Sequence, residues 1–307
     1  MFRTIVVPLD GSPLAEHALA TATMLAERAK AEVHLVRAYQ LFLHDLGDEW
    51  PLDQAMRDET QEYLDRAAQG IQRETGIRPT TALLAGQPAQ SICEYVRGVK
   101  DPLLVMSTHG RTGFSRAWMG SVADGVVRTA TNPVLLLRPD EAPDGLLEPI
   151  GVFERMLVPV DGSSYSEQIV APAMELAELT AARVLLLEVV KPVYVPAYAS
   201  MMEYPASYAP AEDYATETTH VLVQRAAEYI SNLAIRLRRQ YAVLDIQTEV
   251  RTDNSPATTI LDTARAQGAD LVALATHGRG MSRLMVGSVA DKVLRGGPRA
   301  LLVVRPQ

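Results

Sequence analysis

The sequence is poor in cysteine and lacks any long apolar run. Cys93 is the only cysteine in 307 residues, which excludes an intramolecular disulfide and is typical of a reducing compartment. No apolar stretch reaches the roughly 18 residues that span a bilayer. The amino terminus passes directly into the strand-like Ile5-Val6-Val7, without the basic and apolar segments of a secretory signal. We therefore expect a cytoplasmic protein without a membrane segment, in which Cys93 is structural.

An excess of positive charge is also absent. The 29 lysines and arginines are outnumbered by 37 aspartates and glutamates, which gives a formal net charge of −8. Nucleic-acid binders need a basic surface that neutralises phosphates. The charge balance therefore argues against a nucleic-acid partner.

Motifs of catalysis and metal binding are missing as well. The sequence has neither the Gly-x-x-x-x-Gly-Lys-Ser/Thr phosphate loop nor the Gly-x-Ser-x-Gly nucleophile turn. Its six histidines are not spaced with cysteine or carboxylates as metal ligands are. His109 and His277 follow apolar segments with no acid or nucleophile spaced to act with them, so we expect each to make a turn hydrogen bond. We predict no catalytic residue and no resident metal.

What the sequence does contain is a repeat of its own first half. Residues 5–12, Ile-Val-Val-Pro-Leu-Asp-Gly-Ser, recur as Met-Leu-Val-Pro-Val-Asp-Gly-Ser at residues 156–163. Further shared segments follow in the same order: Thr-His-Gly-Arg at 108 and 276, Gly-Ser-Val-Ala-Asp at 120 and 287, and a closing apolar segment with Arg-Pro at 135 and 302. A period this long is a whole domain, not a solenoid unit.

The repeat sets the predicted domain limits. We assign one domain to residues 1–139, a linker rich in proline and glycine to residues 140–154, and a second domain to residues 155–307. The offset between the halves grows from 151 at Asp10 to 168 at Thr108, so the second half carries about 17 extra residues. We place them in residues 191–215 and predict a long loop there.

Apolar strands alternate with amphipathic helices in each half. In the first half we predict strands at 4–9, 33–38, 80–84, 103–107 and 134–137, and helices from Ser12-Pro13, at 52–75, at 88–99 and at 121–130. This alternation predicts an α/β fold of two doubly wound, Rossmann-like domains, each a five-stranded parallel sheet with helices on both faces. Ligands of such sheets bind beyond the carboxyl ends of the strands, where the strand order reverses.

Asp10 and Asp161 follow the first strand of each half and therefore lie at that crevice. A carboxylate there can accept hydrogen bonds from a ribose or from a base amine. Asp-Gly-Ser is equally good chemistry for a turn that starts a helix. Both interpretations stay open at this point.

A loop rich in glycine and basic residues follows the fourth strand of the first half. It begins at Gly110 and closes at Gly120-Ser121, where a helix starts. The amides of Ser121 and Val122 then point out of a helix N-terminus, and the helix dipole favours an anion there. Ser121-x-x-Asp124 also resembles a capping box. The two roles are compatible, because a hydroxyl has one donor and two acceptor lone pairs.

With these residues in both halves, the whole chain resembles the universal stress protein family. Nucleotide-binding members carry Gly-x-x-Gly, nine residues, then Gly-Ser or Gly-Thr. Residues 110–121 match the later part of this motif, but Ser107 replaces its first glycine. In the second half Ala275 replaces that glycine, and only eight residues separate Gly278 from Gly287. We therefore expect the first half to keep the better site.

The resemblance implies particular binding residues. Asp10 would hold the adenine or ribose, the backbone of Ala38 would meet the adenine edge, and the glycine loop would hold phosphates. The implied first-half site is Pro8, Asp10, Ala38, Ser107, Gly110, Gly120, Ser121 and Val122. Its second-half counterpart is Pro159, Asp161, Val189, Ala275, Gly278, Gly287, Ser288 and Val289.

The resemblance also implies a function. We expect a stress-response protein that binds ATP, AMP or ADP, with Mg²⁺ as a companion of the nucleotide, and that signals to a protein partner without catalysis. Family members dimerise through their last strands, so residues 135–137 and 302–304 are expected to pair within the chain, and a homodimer of whole chains is left open. The alternatives are a nucleotide-free interaction scaffold with degenerate sites and, less favoured, a slow ATPase.

Overall fold

A computed structural model describes residues 1–39, 51–108, 119–138, 151–194, 211–277 and 286–307. Within these ranges the alternation of strands and helices is confirmed, as is the α/β class. The predicted linker 140–154 lies largely outside the described residues, and only its last four residues are seen. The domain limits at 139 and 155 stay predictions.

The first half begins with a buried strand and a capped helix. Ser12 caps the first helix through its hydroxyl, which accepts a hydrogen bond from the Ala15 amide at 3.1 Å, and Pro13 occupies the first turn as predicted. The single predicted helix is divided at His17 into a short and a long helix. The first-half elements are β1 (Thr4–Pro8), α1 (Pro13–Glu16), α2 (Ala18–Ala29), β2 (Glu32–Tyr39), α3 (Pro51–Thr75), β3 (Thr80–Ala85), α4 (Pro88–Arg97), β4 (Pro102–Ser107), α5 (Ser121–Thr129) and β5 (Val134–Leu137).

The second half repeats this order, with a 3₁₀ helix at Ser166–Ile169 in place of α1. Its elements are β6 (Arg155–Val160), α6 (Val170–Thr180), β7 (Arg183–Val190), α7 (Ala211–Gln240), β8 (Ile246–Thr252), α8 (Pro256–Gln267), β9 (Leu271–Ala275), α9 (Ser288–Gly296) and β10 (Ala300–Val304). The predicted loop 191–215 ends too late, because α7 already begins at Ala211 and continues for 30 residues. Residues 195–210 of that loop lie outside the described part of the chain.

The strands form one sheet in the order β3-β2-β1-β4-β5-β10-β9-β6-β7-β8. Neighbours within each half are parallel, whereas β5 and β10 pair antiparallel, with Leu136 opposite Leu301. The second half therefore repeats the strand order of the first in reverse, as a pseudo-twofold relation requires. The predicted pairing of the two final strands within the chain is confirmed. Pairing these wholly buried strands removes two apolar edges that would invite aggregation.

Helices cover both faces of the sheet, and each layer continues across the two halves. One apolar cluster joins α2, α3, α6 and α7 to the sheet, and the other joins α4, α5, α8 and α9. Across the centre, the Arg28 guanidinium donates to the Leu179 carbonyl at 2.9 Å. The Met1 ammonium likewise contacts the Glu175 carboxylate at 2.9 Å. Among the helices described, none is both long and apolar enough to cross a membrane.

Candidate functional site

The strand order reverses between β1 and β4 in the first half and between β6 and β9 in the second. A crevice beyond the carboxyl ends of the strands opens at such a reversal. Asp10 follows β1, and Ser107 ends β4 on the other side of the same crevice. The Ser107 hydroxyl donates to the Leu14 carbonyl of α1 at 2.6 Å, which ties the end of β4 to the helix that follows Asp10.

Asp10 makes the turn that starts α1. Its Oδ1 accepts hydrogen bonds from the Ser12 amide at 2.9 Å and from the Ser12 hydroxyl at 2.6 Å. Asp161 is engaged in the same way, by the Ser163 amide at 3.0 Å and the Ser163 hydroxyl at 2.6 Å. The turn interpretation is therefore confirmed in both halves. An ionised carboxylate offers about four lone-pair positions over two oxygens, so the turn does not exhaust its capacity as an acceptor.

Ala38 and Val189 lie where β2 and β7 extend past β1 and β6, although both stay paired on the other side, with β3 and β8. The β1–β2 register ends with Pro8 opposite Val36, two residues before Ala38. The β6–β7 register ends with Val160 opposite Glu188, one residue before Val189. Beside these positions, Pro8 is the last residue of β1, and Pro159 is the last but one of β6. The predicted adenine-facing backbone thus borders the crevice in both halves.

Ser107 and Ala275, which replace the first glycine of the motif, are ordinary strand residues. Neither has a positive φ. A glycine is needed for backbone conformation only where φ is positive, so the substitutions cost no backbone strain here. The Ser107 side chain is buried and committed to α1 through its bond to Leu14.

Helices α5 and α9 begin with glycine N-caps. Gly120 and Gly287 have extended geometry, with φ near −65° and ψ near 150°, and neither helix has a side-chain cap. The Gly120 amide donates to Thr108 O at 2.7 Å, and the Gly287 amide donates to Thr276 O at 2.8 Å. The capping-box interpretation of Ser121 is wrong, because Ser121 is the first helical residue and its side chain is exposed.

Two ion pairs lie on these helices. Asp124 accepts both arms of the Arg128 guanidinium, at 2.8 and 3.0 Å, instead of reaching back to the helix start. Asp291 and Arg295 do the same in α9, at 3.0 and 3.2 Å. Each aspartate raises the pKa of its arginine partner, first through the hydrogen bond. The negative charge of each first turn is thus compensated locally, and the N-terminal amides keep their preference for an anion.

Parts of the predicted site fall outside the described residues. Gly110 and His109 lie in residues 109–118, and Gly278 lies in residues 278–285. Val122, Ser288 and Val289 are in the first turns of α5 and α9, as predicted. His277 makes the expected turn contact, with its Nδ1 2.8 Å from the Thr276 hydroxyl.

Sequence reasoning missed a polar cluster beside the first crevice. The Arg37 guanidinium lies 4.9 Å from the centre of the Tyr63 ring, and the Tyr63 hydroxyl donates to Glu16 Oε1 at 2.8 Å. Next to it, the Arg57 guanidinium lies 5.3 Å from the centre of the Tyr39 ring. Burial raises the pKa of Tyr63, and the charges of Glu16 and Asp10 raise it further while Arg37 lowers it. The position of Arg37, one residue before Ala38, was the available signal.

The second crevice has a cluster of different charge. Glu188, which is 6% exposed, lies one residue before Val189. Burial raises the pKa of Tyr229 on α7, and the charges of Glu167, Glu188 and Asp161 raise it further. Arg236 approaches Glu167 at 3.4 Å from an exposed position.

Other candidate sites carry less chemistry. Cys93 is buried, and this burial raises the pKa of its thiol to about 11, as a structural cysteine requires. A cavity of about 280 Å³ lies between Arg155 and Arg183, at the amino ends of the strands and away from Asp161. The described part of the chain contains no group of three or more His, Cys, Asp or Glu side chains that could hold a metal ion.

Fold and site together define a tandem, doubly wound α/β protein with one crevice per half. The family model of the universal stress protein family matches residues 1–138 and again residues 153–305. The chain therefore belongs to the universal stress protein family, and it contains the family domain twice.

Known relatives match either one half or most of the chain. A universal stress protein of Methanocaldococcus jannaschii is 32% identical over 147 residues, which is 45% of this chain and 83% of the relative. One from Mycobacterium bovis is 27% identical over 248 residues, covering 79% of this chain and 73% of the relative. The crystal structure of a universal stress protein from Archaeoglobus fulgidus shares the fold over 99% of this chain and 96% of its own, with a TM-score of 0.64 and 19% identity.

Proposed function

We propose that the chain binds an adenine nucleotide, ATP foremost, in the first-half crevice and acts as a regulatory stress protein. The observation that carries the proposal is the arrangement at the β1–β4 reversal. The Asp10 carboxylate stands on one side of this crevice, and the uncapped N-terminus of α5 follows the strand on the other side. A carboxylate suits a ribose or base amine, and free helix amides suit phosphate.

In this proposal different residues bind different parts of the nucleotide. Asp10 accepts from the ribose or adenine, and the backbone beside Ala38 meets the adenine edge. The glycine at Gly120 leaves the α5 amides of Ser121 and Val122 open to phosphate, and the exposed Ser121 hydroxyl adds a further donor. Gly110 completes the phosphate loop in this proposal.

The described residues favour binding over catalysis. The ionisable groups described beside the first crevice include an aspartate held in a turn, a glutamate bonded to a tyrosine, and that tyrosine, whose pKa is raised. The carboxylates already accept hydrogen bonds, and the raised pKa of Tyr63 keeps its hydroxyl protonated at neutral pH, so neither is a ready general base. These contacts support a regulatory role, in which the nucleotide level is the signal.

In this proposal Mg²⁺ is bound to the phosphates of the nucleotide and has no protein site of its own. A Mg²⁺ ion is bound in proteins through one or two carboxylates together with substrate phosphates. The nearest carboxylate to the α5 N-terminus in sequence, Asp124, is held by both arms of Arg128. The described residues thus supply no dedicated carboxylate site, and Mg²⁺ would arrive with ATP.

A nucleotide-free scaffold is the second candidate. The turn bonds of Asp10 and Asp161 favour it, because they give both aspartates a structural use without any ligand. Tyr194 and Tyr214 flank the long second-half loop and are 77% and 64% exposed, which offers a partner aromatic surface. In that case, changes in the loop impair function and changes at Asp10 do not.

Calorimetric titration of the purified chain with ATP separates the candidates. The wild type is expected to bind ATP, and Asp10→Asn is expected to weaken binding at least about tenfold, since it removes the charge but keeps an Oδ1 acceptor for the turn. Asp262→Asn on the exposed face of α8 is the matched control. Absence of heat with ATP, ADP and AMP, together with no nucleotide carried through purification, would leave the scaffold.

A further inference from the structure

The two halves differ at the amino ends of β2 and β7, the opposite end of the strands from the crevices. At one position of the shared strand register, β2 carries His34 and β7 carries Leu185. Two residues earlier, β2 carries Glu32 and β7 carries Arg183. A polar position has thus become apolar, and an anion has been replaced by a cation.

In the first half, side chains of the chain itself fill this place. The Tyr95 hydroxyl of α4 lies 2.9 Å from His34 Nδ1, and the two rings meet edge to face. The Glu32 carboxylate lies 3.5 Å from the other nitrogen of the same ring, Nε2. An aromatic ring and a carboxylate are therefore gathered around His34.

The second half has no such ring at the equivalent helix position. Helices α4 and α8 begin with the related segments Pro-Ala-Gln-Ser-Ile at Pro88 and Pro-Ala-Thr-Thr-Ile at Pro256, so Thr263 is the counterpart of Tyr95. Thr263 is fully buried, and its hydroxyl has no hydrogen-bond partner among the residues that the structure describes. A buried hydroxyl left in this way costs free energy, which a ligand with a polar group can recover.

The cavity of about 280 Å³ at this end of the sheet borders the smaller side chain on β7. Leu157 and Leu185 line it together with Gln247 and Gln267. The strand register places Leu157, Leu185 and Gln247 side by side on one face of the sheet, the face that α8 covers. This volume lies at the small end of the range for ligand pockets and suits a ligand built on a single ring.

Two arginines line the same cavity. Arg155 donates to the Gln267 carbonyl at 3.0 Å, which holds it against the end of α8. Arg183 is 72% exposed, and its Nε lies 3.8 Å from the Asp245 carboxylate, beyond hydrogen-bond length. The carboxylate of Asp270, close by, is engaged by two backbone amides. An exposed pair such as Arg183 and Asp245 is weak, so Arg183 can turn to the anionic group of a ligand.

We propose that this cavity binds a small aromatic carboxylate, a ligand of one ring and one anionic group. The ring lies on the two leucines, in the place that Tyr95 fills in the first half, and the carboxylate lies against Arg183, the counterpart of Glu32. Burial of the ring on an apolar floor favours binding, and a guanidinium pairs with a planar carboxylate through two parallel hydrogen bonds. The site is separate from both crevices and does not depend on nucleotide binding.

Calorimetric titration of the full chain with 4-hydroxybenzoate tests the site. The wild type is expected to bind this probe, and Arg183→Gln is expected to weaken binding at least about tenfold. Arg3→Gln, just before β1 in the other half, is the control of equal charge change. The alcohol analogue without the carboxylate, 4-hydroxybenzyl alcohol, should bind the wild type at least about tenfold more weakly than the acid.

A second variant closes the cavity and leaves both arginines in place. Leu185→His combined with Thr263→Tyr copies the ring pair of the first half and should abolish binding of 4-hydroxybenzoate. Circular dichroism and thermal unfolding check that this variant folds. If it does not fold, the comparison of Arg183→Gln with the wild type still decides.

Several results would overturn the inference. They are no binding of 4-hydroxybenzoate or benzoate at millimolar concentration, an equal affinity in the wild type and Arg183→Gln, and an equal affinity in the folded cavity-closing variant. Displacement of the probe by ATP would also overturn it, because the ligand would then occupy a crevice. A chain that binds 4-hydroxybenzoate but no nucleotide would contradict the proposed function alone.

Discussion

At the scale of single residues, Asp10 shows what a motif leaves undecided. The Asp-Gly-Ser sequence suits both a turn and a ligand contact. The structure shows the turn in both halves. The polar side chains beside the first crevice come partly from another element. Tyr63 lies 47 residues after its partner Glu16, so no local pattern around Asp10 could reveal the contact.

Cys93 gives a prediction at the same scale. Burial raises the pKa of its thiol to about 11, from an ordinary value of 9.0. A group whose native pKa is raised contributes stability below its unfolded pKa and loses it as the pH rises through the native pKa. Relative to Cys93→Ala, the wild type should therefore lose on the order of 2 kcal/mol of unfolding free energy between pH 9 and pH 11.

Denaturant unfolding of both proteins across this range measures that loss. Their difference cancels the contribution of the buried tyrosines, whose pKa values are also raised. The native thiol should also resist a disulfide reagent at pH 8 until the chain unfolds. Rapid labelling of the native chain would contradict the burial.

At the scale of elements, the strands and helices of the first half could be predicted almost to their ends, because buried strands and amphipathic helices have different periods. The capping box failed for a physical reason. The Gly120 amide is bonded to Thr108 O, which fixes Gly120 in extended geometry and makes Ser121 the first helical residue. That contact joins two elements, and sequence spacing does not report it.

A substitution at the N-cap of α5 tests whether this helix start is only a structural cap or also a phosphate-binding site. Gly120→Ser supplies a hydroxyl that accepts from the first helical amides, the same amides that phosphate would use. Stability should change by no more than about 1 kcal/mol, because the cap offsets the added bulk. ATP affinity should fall at least about tenfold, and equilibrium dialysis measures it.

Gly287→Ser is the matched change in the second half. An added Cβ there would lie 3.2 Å from Thr276 O. This variant therefore measures the structural cost of adding a side chain at an equivalent N-cap. We expect ATP binding to survive this variant. Equal effects of the two substitutions on ATP binding would contradict the inequality of the halves.

At the scale of the whole molecule, the family resemblance predicted a fused pair, and the apolar last strands of the two halves agreed with it. The structure adds how firmly the pair is joined: β5 pairs with β10, both apolar clusters near the sheet continue past the centre, and Arg28 bonds across it. Arg37 and Glu188 can be read at equivalent positions of the repeat, but their neighbours Tyr63 and Tyr229 could not be predicted, because they depend on which helix covers which strand.

Cutting the linker tests this union. A protease site inserted within residues 140–150 should yield two fragments that remain a one-to-one complex, since the sheet and both helix layers hold them together. Gel filtration under native conditions measures the mass after cleavage. Elution of separate fragments would show that the central pairing does not hold the halves without the peptide link.

Native mass spectrometry of the intact chain with ATP tests the central claim most directly, because it counts nucleotides on each molecule. The account predicts one bound ATP per chain, lost in Asp10→Asn and retained in Asp161→Asn. A chain with no bound ATP would contradict nucleotide binding, and a chain that fills both crevices equally would contradict the assignment of the site to the first half.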